Sequence, residues 1–495
     1  MKAVKRPGRD TVGRKQPNAL SACPVCASGD LEYAFIIEKY PVCQCRSCSL
    51  LFLNPQPPPA ESDAPARLGS SESARSEART VIDRLLAYSK TEIRKVLIIQ
   101  TEASLLESEA SSRGLNPVVV HTGNATAALK EYGENAFDAC VLYGSLEQVP
   151  HPQEMLEAIR ALLDPGASLL VNTASIDSMP AGVMRDGWWG FSIHSYFYFG
   201  VNTLQNLLLK TGYGEPLIYA DRRSGMRMRR YFESRITMLA RPREILSPPR
   251  LSIIVPVYNE RATFLELINL VLNKQIENVD IEIIIVESNS TDGTREDVLK
   301  CGEHPRVKVI LEDRPQGKGH AVRAGLQQAT GDVILIQDAD LEYDINEYET
   351  LILPILAYEQ NFIIGSRHKG LGGTWKIRKF TDSAGLSHFF NFGHLLFLTL
   401  FNRIYRQNLA DPFSMFKVFR RDCLYGLDFE CNRFDFDFEI AIKLIRKGYK
   451  PVEIPINYQS RSIAEGKKVT MVRDPLTWLR ALVKFRSSPL YRTRT

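Results

Sequence analysis

Short apolar runs and amphipathic segments alternate along most of this chain. Val96-Leu97-Ile98-Ile99, Pro117-Val118-Val119-Val120, Ala139-Cys140-Val141-Leu142 and Ser168-Leu169-Leu170-Val171 are too short for helices and predict buried strands. Helical spacing predicts helices around 78–88, 103–112 and 155–163. The pattern resumes after Arg241: apolar runs at 251–257, 281–286, 307–311 and 333–336 predict four more strands with helices between them. Strand and helix in strict alternation predict α/β domains with doubly wound, mainly parallel sheets. Pro55, Pro57, Pro58 and Pro59 mark one linker, and Pro242, Pro248 and Pro249 another. The expected organisation is a basic tail (1–20), a cysteine-rich module (21–56), a linker and helix (57–90), an α/β domain (91–240), a linker (241–250) and a second α/β domain (251–495).

Composition changes this picture little. At 495 residues the chain exceeds one core, and 44% hydrophobic with 24% charged residues is ordinary for a globular protein. A net charge of +5 does not point to nucleic acid, and no nucleic-acid partner is expected. Lys2, Lys5, Arg6, Arg9, Arg14 and Lys15 make a basic tail without the apolar core of a signal peptide. No run approaches the ~18 apolar residues of a membrane span. The nearest, 389–405, is broken by Asn391, His394, Asn402 and Arg403, and reads as a buried or interfacial helix. A cytoplasmic protein, peripheral at the inner face of a membrane, is the expectation.

Five of the nine cysteines fall between Cys23 and Cys48. Cys23-x-x-Cys26 and Cys45-x-x-Cys48 can each present two thiolates, so four ligands would close a structural zinc site, with Cys43 as a spare. Cys140, Cys301, Cys423 and Cys431 are scattered, which argues against a disulfide framework.

The first α/β segment carries Phe137-Asp138-Ala139, Leu146-Glu147-Gln148-Val149-Pro150-His151-Pro152, Leu163-Asp164-Pro165-Gly166 and His194-Ser195-Tyr196-Phe197-Tyr198-Phe199. In these it resembles class I S-adenosylmethionine-dependent methyltransferases, and the cysteine module resembles the zinc ribbon often fused in front of them. That resemblance implies a Rossmann-like fold. The glycine-rich turn needed for close approach to the cofactor is missing, since Gln100-Thr101-Glu102-Ala103-Ser104 stands there. The acid that would hold the ribose is replaced by His121-Thr122. S-adenosylmethionine is therefore not an expected cofactor, and the domain reads as a degenerate scaffold.

Chemistry concentrates in the second half. Asp338-Ala339-Asp340 follows the strand 333–336, at the strand end where ligands of α/β sheets collect. Two carboxylates there call for a cation, and a hard divalent ion would also hold a diphosphate. Pro256-Val257-Tyr258-Asn259-Glu260, Glu287-Ser288-Asn289-Ser290-Thr291-Asp292-Gly293-Thr294 and Gly317-Lys318-Gly319 end or follow the neighbouring strands. Together these residues resemble the family 2 inverting glycosyltransferases of GT-A fold, and within them the polyprenyl-phosphate sugar transferases of the dolichol-phosphate mannosyltransferase type. The pattern continues through Gly365-Ser366-Arg367, Asp411-Pro412-Phe413-Ser414, Phe438-Glu439-Ile440, Glu453-Ile454-Pro455-Ile456, Arg461 and Gly466-Lys467-Lys468.

The resemblance implies that Asp338 and Asp340 bind Mg²⁺ or Mn²⁺ on the donor diphosphate. Pro256, Tyr258, Glu260 and Lys318 would line the nucleotide-sugar pocket with Asp338. Glu287-Ser288 stands where members usually carry Asp-Asp, so the base and ribose contacts at Glu287 differ from the pattern. Arg367 and Arg378 or Lys379 would face an acceptor phosphate, joined by Arg461, Lys467 and Lys468. A hydroxyl acceptor would need a general base, with Asp411 or Glu439 as the candidates. A lipid phosphate is already ionised and needs only positioning and charge neutralisation. His320 reads as helix surface. Neither the Gln-x-x-Arg-Trp motif nor the multiple spans of processive synthases is present, which favours addition of one sugar. The expected function is metal-dependent transfer of one sugar from a nucleotide-diphosphate donor to a polyprenyl phosphate. Transfer to a sugar hydroxyl, or a zinc-ribbon adaptor with an inactive transferase half, are the alternatives.

Overall fold

The computed structural model describes residues 19–58, 72–100, 105–122, 129–218, 235–243, 248–367, 384–459, 473–488 and 490. Backbone proximity divides the chain into two compact units, Met1–Thr203 with Ser234–Ile236, and Leu204–Glu233 with Thr237–Thr495. The division falls ahead of the proline-rich segment 241–250.

The first unit opens with β1 (Leu31–Ile37), β2 (Tyr40–Cys45) and β3 (Leu51–Leu53), an antiparallel meander. Its parallel sheet is built from β4 (Lys95–Gln100), β5 (Asn116–His121), β6 (Phe137–Tyr143) and β7 (Leu163–Ala174). The order β5-β4-β6-β7 is the doubly wound pattern expected from the apolar runs, and the strand interiors are fully buried. The helices Glu72–Tyr88, Leu105–Ser112 and Pro152–Leu162 start two to six residues from their predicted starts. One connection escaped the sequence. β8 (Phe197–Tyr198), inside the aromatic motif used for the methyltransferase likeness, pairs antiparallel with β3 and completes a four-stranded sheet with the cysteine hairpins. Ile37, Val42, Leu53 and Tyr198 form a small core beneath it.

In the second unit β9 (Tyr213–Ile218) and β10 (Arg235–Pro242) pair antiparallel. The main sheet contains β11 (Arg250–Val257), β12 (Asp280–Glu287), β13 (Val307–Leu311), β14 (Val333–Ile336), β15 (Phe362–Ser366), β16 (Lys417–Arg420) and β17 (Val452–Pro455). The order is β13-β12-β11-β14-β16-β15-β17. The first four strands are parallel, so their carboxyl ends share one edge, whereas β16 runs antiparallel to both β14 and β15. Leu251, Ile253, Val255, Ile283, Ile285 and Leu335 pack on one face against Phe264, Leu267 and Ile268 of the helix Phe264–Asn273. No helix among the described residues is long and apolar enough to cross a membrane. The helix Ala384–Tyr405 contains the predicted 389–405 segment.

Candidate functional site

The register of the parallel strands brings the predicted motifs to one edge. Val257 of β11 lies opposite Glu287 of β12, which lies opposite Leu311 of β13. β14 stops at Ile336, opposite Ile254, and Gln337 extends the ladder by one bond to the Ile254 carbonyl (2.9 Å). Tyr348 donates to the Gln337 side chain (3.0 Å) and Thr263 to the Ala339 carbonyl (3.0 Å), so the turn holding Asp338 and Asp340 is anchored on both sides. Asp340 is buried and accepts the Glu342 amide (3.2 Å).

Lys318 reaches this turn from the first residue of the helix Lys318–Gln328 and forms an ion pair with Asp338. The glycines on either side allow that approach. Gly317 has φ +106°, and a Cβ on Gly319 would lie 2.6 Å from Cβ of Phe436 and 2.7 Å from the Cys431 carbonyl. Burial opposes the Lys318 charge, but Asp338, Asp437 and Asp340 outweigh it and hold its pKa above the lysine range. Asp338 and Asp340 together offer the carboxylate oxygens that a hard cation takes, and Lys318 offsets the charge of Asp338.

Arg367, at the end of β15, makes a bidentate pair with buried Asp411 (2.7 and 2.8 Å), and its amide donates to the same carboxylate (3.1 Å). Its guanidinium also lies 5.3 Å from the Tyr458 ring centre. Burial opposes the Arg367 charge, yet Asp411 raises its pKa well above the usual value. Glu453 accepts the amides of Ala410 (2.8 Å) and Asp411 (2.5 Å), which fixes the loop beneath the pair.

The other expected residues divide. Pro256, Tyr258 and Glu260 stand at the β11 turn, where Asn259 (φ +49°) donates its amide to Ser290 (2.9 Å) and Glu260 its amide to Thr294 (3.1 Å). Glu287 turns inward: fully buried, it accepts the Ser290 amide (2.6 Å) and pairs with Arg295 (2.9 Å), holding the turn where a ribose contact was expected. Glu439 is also fully buried, accepting the amides of Glu430 (3.0 Å) and Cys431 (2.8 Å) and the ammonium of Lys443 (2.5 Å). Its oxygens are engaged in holding the 430–431 loop. His320 is not plain helix surface, since its Nδ1 bonds the buried carboxylate of Glu312. Arg378, Lys379, Arg461, Lys467 and Lys468 lie outside the described residues.

Two residues went unread in the sequence. Lys417 is fully buried on β16 and donates to the Ser414 carbonyl; burial lowers its pKa to about 8 against the pull of Asp437 and Asp411. Asp437, buried in the first turn of the helix Phe436–Lys447, feels Lys318 and Lys417. The only available signal was Asp437-x-Glu439, two acids whose i, i+2 spacing aims them at different sides of a helix.

Residues 252–427 match Glycosyl transferase family 2. The carboxyl-terminal half thus carries a family 2 glycosyltransferase domain. Among curated proteins, the chain is 29% identical over 220 residues to a dolichol-phosphate mannosyltransferase of Pyrococcus furiosus, covering 44% of this chain and 59% of that one. It is 23% identical over 229 residues to glycosyltransferase AglJ of Haloferax volcanii, covering 46% and 69%. The chain thus spans about three-fifths of the length of the first relative. Among solved structures, glucosyl-3-phosphoglycerate synthase from Mycobacterium tuberculosis superposes with a TM-score of 0.37 at 18% identity, covering 49% of this chain and 80% of that one.

In the first unit the four predicted cysteines converge. Their sulfurs all lie within 4.8 Å of one another, with Cys23–Cys48 at 3.5 Å and Cys26–Cys45 at 3.4 Å. The two knuckles are built alike. The amides of Ala27 and Ser49, both at positive φ, bond back to the carbonyls of Cys23 and Cys45. Hydrogen bonds from Cys23 and then Cys48 pull the Cys26 thiol down to about 2, and one from Cys48 brings Cys45 to about 6. A tetrahedral ion with bonds of ~2.3 Å sets sulfurs roughly 3.8 Å apart, which these positions fit. Cys43 stands outside the cluster.

Proposed function

We propose that this protein is a metal-dependent, inverting glycosyltransferase of GT-A fold that moves one sugar from a nucleotide-diphosphate donor to a polyprenyl phosphate. The observation that carries this reading is the meeting of Asp338, Asp340 and Lys318 with a buried arginine pair at the same sheet edge. Asp338 and Asp340 would hold Mg²⁺ or Mn²⁺, which supplies Lewis-acid stabilisation of the leaving nucleotide when bound. Lys318 would meet the diphosphate, and Pro256, Tyr258 and Glu260 the nucleoside. Arg367, set by Asp411, would face the acceptor phosphate.

The surroundings of the two candidate bases support a phosphate acceptor. Asp411 is bound bidentate by Arg367 and Glu439 is engaged by Lys443 and two amides, so neither expected base presents a lone carboxylate. A phosphate acceptor needs none. A lipid is further supported by exposed Leu395, Leu396, Leu479 and Val483 on the helices Ala384–Tyr405 and Arg473–Ser487. These helices are joined by the Tyr405 hydroxyl on the Leu482 carbonyl (2.6 Å) and flanked by exposed Arg403, Arg480, Lys484 and Arg486. Such a face suits an anionic membrane surface.

In the same reading the cysteine cluster holds structural Zn²⁺ and the first parallel sheet is a scaffold derived from a methyltransferase. The test is a screen of nucleotide sugars with polyprenyl phosphate and Mn²⁺, reading released nucleotide. Turnover should appear with the lipid phosphate and vanish in Asp340→Asn. Undiminished turnover in that variant would sink the metal assignment, and turnover only with sugar hydroxyls would replace the acceptor. No turnover with any donor would favour an adaptor.

A further inference from the structure

The ion pair between Lys318 and Asp338 poses a problem for the metal reading on which this inference rests. A cation seated on Asp338 and Asp340 competes with Lys318 for the same carboxylate. A buried ammonium group stripped of its partner is costly unless a second anion takes it. Asp437 is placed to do so. A Cβ added at Gly319 would meet Cβ of Phe436 and the carbonyls of Cys431 and Arg433, so the start of the helix Lys318–Gln328 packs tightly against the start of the helix Phe436–Lys447, and Asp437 lies close enough to act on the Lys318 charge. Asp437 is more than nine-tenths buried, and its Oδ1 has no hydrogen-bond partner among the described residues. Such an orphaned carboxylate oxygen deep in a protein calls for a donor. Lys417 is the other ammonium acting on Asp437, but it already donates to the Ser414 carbonyl. The remaining carboxylates nearby are committed elsewhere, Asp411 to Arg367 and Glu439 to Lys443.

We propose that Lys318 is an internal counter-ion that a divalent cation displaces from Asp338, and that Asp437 is the positioning residue that receives it. Lys318 then carries its charge from a blocking position to one beside the occupied metal site. Without the ion Lys318 offsets one of the two carboxylate charges, and with the ion bound it adds a cation for the donor phosphates. Asp437 acts through Lys318 and touches neither metal nor donor.

The test is Mn²⁺ binding to the full chain without donor, read by electron paramagnetic resonance of the free ion. Lys318→Met should tighten binding by roughly 3- to 30-fold, the size expected for releasing a partly buried ion pair. Asp437→Asn should weaken it several-fold, because Lys318 loses its alternative partner. The double variant should bind like Lys318→Met alone. An unchanged affinity in Asp437→Asn, or the same weakening with Lys318 already removed, overturns the proposal while leaving the metal site standing. A parent protein that binds no Mn²⁺ overturns both. Should Asp437→Asn fail to fold by circular dichroism, Lys318→Met decides alone, and an unchanged affinity there overturns the proposal.

Discussion

Glu439 distinguishes a catalytic carboxylate from one that builds the site, and Glu439→Gln tests which it is. The carboxylate is fully buried and accepts three donors: the Glu430 amide, the Cys431 amide and the Lys443 ammonium. Glutamine keeps the volume but offers one oxygen, so an amide or the ammonium must face an NH₂ group. Lys443 is itself buried and loses its countercharge. Breaking a buried pair from one side costs about 3–5 kcal/mol. For a unit of this size that lowers the unfolding temperature by roughly 6–20 °C. Scanning calorimetry should show this drop in the transition of the second unit, with turnover per folded molecule nearly unchanged well below the transition. Glu439→Gln with Lys443→Met should recover part of the loss, since the second change removes the stranded charge. An unshifted transition with turnover reduced tenfold or more would refute the argument and return Glu439 to the role of base.

Cys26→Ser should abolish equimolar zinc in protein analysed by mass spectrometry and loosen the hairpins β1 to β3; parent protein free of zinc would refute the four-thiolate site. Burial lowers the Lys417 pKa from 10.5 to about 8, so between those values the unfolded chain holds a proton that the folded chain has lost. Stability from this group therefore rises with pH across that window. Lys417→Met should flatten the rise in the urea midpoint between pH 8 and 10.5, and an identical slope in both proteins would refute it. Calorimetric titration with S-adenosylmethionine should give no binding heat, and micromolar affinity would overturn the scaffold reading of the first sheet.

Local chemistry made the two sets of four parallel strands and the paired cysteine knuckles legible from residue order alone. A run such as Val333-Ile334-Leu335-Ile336 is a strand because β-branched side chains buried on both faces leave few alternatives. Two Cys-x-x-Cys turns imply one four-ligand site because each turn can supply only two sulfurs. The acids after β14 were legible for the same reason, as polar residues where a buried strand must end.

Partnership was not legible. Arg367 and Asp411 are 44 residues apart, and only the pairing of β15 with β16 brings their segments together. Glu287 and Glu439 looked like site carboxylates, yet one closes a turn with Arg295 and the other closes a loop with Lys443. Asp437, two residues from Glu439, faces Lys318 and Lys417. Which way each acid points depends on how the helix Phe436–Lys447 packs, and packing is a property of distant residues meeting. The sequence by itself determined where strands end and which ligand-capable residues stand there. Tertiary structure alone decided which of those charges neutralise one another, because Coulomb interactions depend on separation in space and burial, and neither is encoded in spacing along the chain.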